Sequence, residues 1–269
     1  RQAAEDAGDL LQAAAAAGGG APTLDTAVNA VDEVLGVNAA RRKIARSVGA
    51  DPYSTNAVLQ KELKRLADAL VAGGMTANFA VGQVPGASVV TRAAGLAWDL
   101  PPQDLRARNE KALEGMGCDE DTAERLLDSP VFSPTLATEL VEALQGLGEV
   151  EGRAVLVALA AGARNEAEAR FYRSSVGLLA AAQAEGRTLR RARGYGRALA
   201  ALTGDGTLLV AVAVDLLTWQ EGVREAVKTP GPEARARALW LTGQLSARTR
   251  AELRGRGFEV REGMRVTGR

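Results

Sequence analysis

Apolar residues recur at three- and four-residue intervals through most of residues 24–186. This spacing is typical of helices that bury one face. One such stripe contains Val58, Leu59, Leu63, Leu66 and Leu70. It predicts a helix that begins behind Asn56, a residue suited to a helix cap, and that ends at the Gly73-Gly74 pair. Most of the first two thirds of the chain is therefore expected to be helical.

The hydrophobic pattern changes after residue 197. Two apolar runs flank Gly204-Asp205-Gly206, and an Asp-Gly step between apolar runs predicts a β-hairpin. The second run, residues 208–214, contains no polar position, as expected of a strand that is buried on both faces. Helix and strand patterns then alternate, which predicts the order β-β-α-β-α-β and a small sheet with at least three parallel strands.

These patterns predict an α+β protein, in which a mainly helical N-terminal region precedes a small α/β domain with a hairpin and a partly parallel sheet. Residues 1–23, an Ala-rich stretch followed by Gly and Pro, are expected to form a loosely ordered arm and linker. We expect a helical domain at 24–186, a basic connector at 187–197 and the α/β domain at 198–269.

Composition narrows the chemistry that the chain can perform. Among 269 residues there is no His, so catalysis by histidine and histidine-ligated metals are excluded. The single cysteine, Cys118, cannot form an internal disulfide or a thiolate cluster. We expect neither a metal nor a cofactor, and whether the chain is an enzyme stays open. Asp119, Glu120 and Asp121 lack the spacing of a calcium loop and favour the start of a helix.

Net charge and hydropathy indicate whether the chain could bind nucleic acid or cross a membrane. The 33 basic residues equal the 33 acidic ones, which argues against the basic field that nucleic-acid binding needs. No apolar run reaches the roughly 20 residues of a membrane span. A basic cluster contains Arg187, Arg190, Arg191 and Arg193. It fits either contact with an anionic surface or a solvated linker that pairs with acidic neighbours, and zero net charge favours the linker.

The strongest candidate site lies at the predicted strand ends. Asp215 closes the buried strand at 208–214, and Thr218 follows it. The next strand leads into a loop with Thr242, Gly243 and Ser246. Because open α/β sheets bind ligands at the carboxyl ends of parallel strands, these five residues are expected to surround a cleft. The alternatives are a helix-capping Asp215 and an ordinary loop between strand and helix.

A second candidate is the turn at residues 51–56. Asp51-Pro52 predicts an extended turn, because the residue before proline avoids the helical region. Asn56 suits the cap of the following helix. Tyr53 has no local structural role, so it is expected either to dock inside the fold or to recognise a partner.

Five segments in this order resemble a family of uncharacterised exported proteins of proteobacteria and their relatives. They are VGADPYSTNAVLQKELKRLADALVAGG, LAWDLPPQDLRARNEKALEGMG, VEGRAVLVALAA, LLVAVAVDLLTWQEGV and LWLTGQLSARTRAELRGRGFEV. The resemblance covers about residues 34–260 and departs from the usual pattern at LADALVAGG and DLLTWQE. It implies a periplasmic or envelope location, with a signal peptide and an upstream region ahead of Arg1. It implies no activity.

Two functions follow from these observations. The lack of His and of a recognisable catalytic motif favours a non-enzymatic interaction or scaffold protein of the bacterial cell envelope or of a larger assembly. Such a protein would require a protein partner or the upstream region. The alternative is an enzyme or small-ligand-binding protein that uses the cleft around Asp215 and the loop at residues 242–246.

Overall fold

A computed structural model describes residues 36–72, 92–228 and 234–266. The expected arm at residues 1–23 lies outside this range. The chain divides into two compact units: unit 1 comprises residues 1–90 and 94–102, and unit 2 comprises residues 91–93 and 103–269.

The described part of unit 1 is helical. Its helices are α1 (Val37–Ser47), α2 (Ala57–Ala72) and α3 (Arg92–Asp99). Helices α1 and α2 pack through small and medium-sized apolar residues, namely Val37, Ala40, Ala67 and Leu70. The predicted cap of α2 is confirmed, since the Asn56 side chain accepts hydrogen bonds from the backbone N–H of Val58 at 3.0 Å and of Leu59 at 3.2 Å.

In the described part of unit 2, five helices precede the sheet: α4 (Pro102–Gly115), α5 (Glu120–Leu127), α6 (Pro134–Gln145), α7 (Arg153–Ala161) and α8 (Glu166–Ala184). Asp119, Ser133 and Asn165 cap α5, α6 and α8 through their side-chain oxygens. The acidic triplet therefore begins a helix, as predicted. Two hydrogen bonds of Thr122 hold the pKa of the Asp119 carboxyl below its usual range.

The strands follow in the order β1 (Leu189–Tyr195), β2 (Ala198–Thr203), β3 (Thr207–Val212), β4 (Leu216–Leu217), β5 (Ala236–Leu241), β6 (Gln244–Leu245) and β7 (Phe258–Arg261). Helix α9 (Glu221–Lys228) lies between β4 and β5, and α10 (Ala247–Gly255) lies between β6 and β7. Strands β1, β2, β3, β5 and β7 form a five-stranded sheet in that order. Its first three strands are antiparallel, and β3, β5 and β7 are parallel.

The sheet has helices on both faces. Leu209 and Ala211 of β3 contact the core that includes α8, whereas Leu208 and Val210 contact the core beneath α9 and α10. Every residue of β3 is buried, which confirms the prediction from its unbroken apolar run. The fold class is therefore α+β, with helices mostly N-terminal and a mixed sheet at the C-terminus.

The expected connector at 187–197 requires correction, because residues 189–195 form strand β1. Helices α5 to α8 also share one hydrophobic core with the sheet, so the helical region and the sheet do not separate at this segment. The arginines obscured the strand pattern. An edge strand exposes much of its surface, and arginine is tolerated there because its head remains in water. Within the described residues, no helix is long and apolar enough to cross a membrane.

Candidate functional site

The strand ends bring the predicted residues of the candidate site together. Strands β4 and β6 pair in parallel just beyond the ends of β3 and β5. The backbone N–H of Gln244 donates to the carbonyl of Asp215 at 2.9 Å, and that of Ser246 donates to the carbonyl of Leu217 at 3.0 Å. The two loops therefore lie directly against each other.

Gly243 is positioned by close backbone packing. A Cβ atom at this residue would lie 2.0 Å from the carbonyl oxygen and 2.5 Å from the Cα of Asp215. Cβ atoms essentially never lie within 3.0 Å of such neighbouring heavy atoms, so any side chain here would push the two loops apart. The glycine is thus needed for the loops to meet, and no space for a ligand exists between these two backbones.

The hydroxyl groups of Thr242 and Ser246 both form hydrogen bonds with the backbone. The Thr242 hydroxyl donates to the carbonyl of Val214 at 3.1 Å. The Ser246 oxygen accepts the backbone N–H of Thr249 at 3.2 Å and caps α10. Both side chains thus hydrogen-bond to backbone groups at the strand and helix ends.

An ion pair that the sequence did not indicate fixes this loop from the other side. Both carboxylate oxygens of Glu262 accept hydrogen bonds from Arg250 at 2.8 Å. Glu262 also accepts the backbone N–H of Leu245 at 2.7 Å. The side chain of Glu262 is only 23% exposed. Hydrogen bonds from Arg250 and from Leu245 lower its pKa to about 2.

Asp215 and Thr218 differ from the other three predicted residues, because both are exposed. Asp215 contributes its backbone carbonyl to the loop contact, so its carboxylate is not needed to hold the loops together. Within the part of the chain that the structure describes, no group of three acidic or cysteine side chains is arranged to hold a metal ion.

The order of the strands indicates whether the sheet forms a ligand-binding crevice at its strand ends. Open α/β sheets bind ligands where the strand order reverses, because the helices there diverge to opposite faces and leave a crevice. Here the parallel strands advance in one direction, from β3 to β5 to β7. Helices α9 and α10 accordingly pack on the same face. The parallel strands therefore lack the reversal that opens such a crevice.

The turn at 51–56 is tied into unit 1. Tyr53 is 9% exposed, and its hydroxyl donates to the carbonyl of Leu100 at 2.7 Å. The indole N–H of Trp98 donates to the carbonyl of Ala50 at 2.8 Å. Asp51 accepts the backbone N–H of Tyr53 at 2.9 Å. These contacts agree with the interpretation that Tyr53 docks inside the fold.

Two of the four arginines of the basic cluster form ion pairs with acidic side chains. Arg187 lies 3.3 Å from Glu259, and Arg191 lies 3.0 Å from Glu151. Arg190 is exposed and Arg193 is half-buried on the same strand. These ion pairs leave less free positive charge for an anionic surface than the sequence alone suggests.

Two further grooves lie on the surface of unit 2. One, of about 730 Å³, is lined by Asp119, Asp121, Thr122, Glu124, Arg125 and Asp128. The other, of about 620 Å³, is lined by Glu149, Glu151, Leu189, Arg190, Arg191 and Leu202. Cys118 lies next to the first, but burial raises the pKa of its thiol to about 11. A thiol with this pKa is a poor nucleophile near neutral pH because it remains protonated.

No family model, curated protein or solved structure matches this chain.

Proposed function

We propose that this chain is a non-enzymatic interaction or scaffold protein that works within a larger assembly. The observation that carries the proposal is the close contact of Gly243 with Asp215. At this contact the loop at residues 215–218 and the loop at residues 242–246 pack backbone against backbone, where a ligand cleft was expected. We call this contact between the two loops the packed joint. Thr242 and Ser246 serve the same joint through their hydroxyl groups.

A second observation favours a protein partner. Helix α7 and the residues after it carry no charged side chain between Arg153 and Arg164. A helix at the surface normally has a polar outward face. On α7, Val155 is 45% exposed and Ala158 is exposed as well. Apolar surface of this kind is what a protein interface buries, so we take Val155 and Ala158 as the contact residues to test.

The experiment compares complexes recovered from the native source with tagged versions of the chain. The wild-type chain is expected to retain a stoichiometric partner, and the double variant Val155→Glu/Ala158→Glu is expected to lose it. Ala167→Glu is the matched control, because Ala167 is an exposed helical alanine elsewhere in unit 2. The proposal fails if the wild-type chain retains no stoichiometric partner.

The alternative function is binding of a small ligand near Asp215 and Thr218, whose side chains are exposed. A thermal-shift screen against small metabolites tests it directly. A ligand that stabilises the wild type but not Asp215→Ala would favour this alternative over a scaffold.

The proposed place of action is the bacterial cell envelope or periplasm. Its support is the resemblance of the five sequence segments to exported proteins. Fractionation of the source cells, followed by detection of the chain, tests this part of the proposal separately. Recovery in the cytoplasmic fraction alone would contradict the location without affecting the proposed scaffold role.

A further inference from the structure

The outer edge of β7 is one of the two edges of the five-stranded sheet. Strand β7 is the last strand of the five-stranded sheet, and it pairs with β5 on its inner side. Within the described residues, no strand pairs with its outer side. An edge of this kind presents backbone N–H and C=O groups that can extend the sheet to another chain.

The opposite edge of the sheet is protected. The backbone N–H of Ala192 in β1 donates to the carbonyl of Glu151 at 2.7 Å, and Glu151 donates in turn to Arg190 at 2.9 Å. Leu159 of α7 lies over Gly194 of the same strand. Coverage by a helix and a loop is a usual way to block an edge. The two edges of this sheet are therefore treated differently.

The sequence of β7 is complementary to itself. Its residues are Phe258, Glu259, Val260 and Arg261. In an antiparallel pair of two copies centred on Val260, Glu259 of each copy stands opposite Arg261 of the other. Directly opposite residues lie on the same face of a sheet and about 5 Å apart, so opposite charges at these positions attract. Charged edge strands normally resist pairing, but a copy of this strand offers the opposite charge at both positions.

The neighbouring charges extend this complementarity. Glu259 pairs with Arg187 at 3.3 Å, and Arg261 pairs with Glu185. Arg261 also lies over the ring of the buried Trp240, 4.6 Å from its centre. The side chain of Glu259 is 54% exposed and that of Arg261 is 40% exposed, so each can contact a further charged partner. Pairing of two copies would join these ion pairs into rows of alternating charge, from Arg187 through Glu259 to the second copy.

We propose that the outer edge of β7 binds the β7 edge of a second copy of this chain, antiparallel and about a two-fold axis at Val260. Such a contact is isologous, because the same surface is used by both copies. It does not depend on the proposed scaffold function, since either a monomer or a dimer could bind other proteins.

The first experiment measures mass by light scattering during size-exclusion chromatography over a series of concentrations. The wild-type chain, of 28.0 kDa, is expected to approach twice this mass at the highest concentrations. Glu259→Arg places like charges opposite each other and is expected to abolish the dimer. The exchange variant Glu259→Arg/Arg261→Glu restores opposite charges and is expected to recover it. Arg191→Glu, which breaks an ion pair at the opposite edge strand, is the control and should not change the dimer.

The second experiment tests the axis and needs no change of charge. Val260→Cys, in a Cys118→Ser background, is expected to form a disulfide-linked dimer on mild oxidation, because the two copies of residue 260 face each other. Ala251→Cys on α10 is the control, since Ala251 is exposed but lies outside β7, and it should form no disulfide-linked dimer. A wild-type chain that remains monomeric at every concentration overturns the proposal. A dimer that survives Glu259→Arg and fails to crosslink at Val260 overturns it as well.

Discussion

Replacement of Gly243 by alanine tests whether the strand-end loops form a packed joint. The added Cβ would lie 2.0 Å from the carbonyl oxygen of Asp215, and this distance must grow to at least 3.0 Å. A separation of that size removes the 2.9 Å hydrogen bond from Gln244 to Asp215 and disturbs the one from Thr242 to Val214. At about 1 kcal/mol for each hydrogen bond, and with the strain of overpacking, we expect a loss of about 2–3 kcal/mol.

The assay is thermal and urea unfolding, followed by the fluorescence of Trp219 and Trp240 in unit 2. A loss of this size should lower the melting temperature of unit 2 by about 4–12 °C, since 1 kcal/mol corresponds to about 2–4 °C for a unit of this length. Gly222→Ala is the matched control. Gly222 lies in α9 and a Cβ there meets no atom within 4 Å, so stability should be unchanged or raised by up to about 1 kcal/mol. An unchanged melting temperature for Gly243→Ala would refute the packed joint.

Three further predictions address single side chains. Glu262→Gln should lower the free energy of unfolding at pH 7, because the folded pKa of Glu262, about 2, lies below the usual 4.5. The difference in unfolding free energy between wild type and variant should shrink as pH falls from about 4.5 towards 2. Urea unfolding across this pH range measures that difference. Tyr53→Phe should destabilise unit 1 by about 1 kcal/mol through loss of the bond to Leu100, whereas unchanged hydrogen exchange in α2 and α3 would contradict this. Asp215→Asn should leave the melting temperature unchanged, because the contact uses the backbone carbonyl; a marked drop in calorimetry would show that the carboxylate matters.

Much of the fold could be predicted because local signals agree with the tertiary structure. The apolar run in β3 lacks polar residues because both faces of the strand are covered by helices. The turn at Gly204-Asp205-Gly206 joins β2 and β3 as predicted. Here Thr203 and Thr207 hydrogen-bond to the Asp205 carboxylate and lower its pKa to about 2. Gly206 adopts a φ of 85°, a backbone conformation that glycine adopts readily and that other residues disfavour.

Other elements gave no usable local signal. Strands β4 and β6 contain two residues each, too few for a periodic pattern. Strand β1 carries Arg190, Arg191 and Arg193, which suggested a solvated connector. Its edge position and the arrangement of its ion pairs depend on contacts with distant residues, and these cannot be read from a short segment.

The candidate site also depends on contacts between residues that are distant in sequence. The sequence correctly placed the loops after β3 and β5 near each other, because parallel strands end at one edge of a sheet. It could not indicate that Gly243 and Asp215 approach closely enough to exclude a side chain. Arg250 and Glu262 are twelve residues apart and meet only because the chain returns along β7. No local sequence pattern predicts this ion pair. Tyr53 likewise meets its partner, Leu100, only in the folded unit 1.

We propose that the chain works by binding other proteins. Gentle purification of the native protein from its source, followed by native mass spectrometry, tests this role. We expect a complex of defined mass that contains at least one other protein in fixed stoichiometry. Recovery of the chain without any other protein would contradict the proposed role, and a bound small molecule that is lost on Asp215→Ala substitution would favour ligand binding instead.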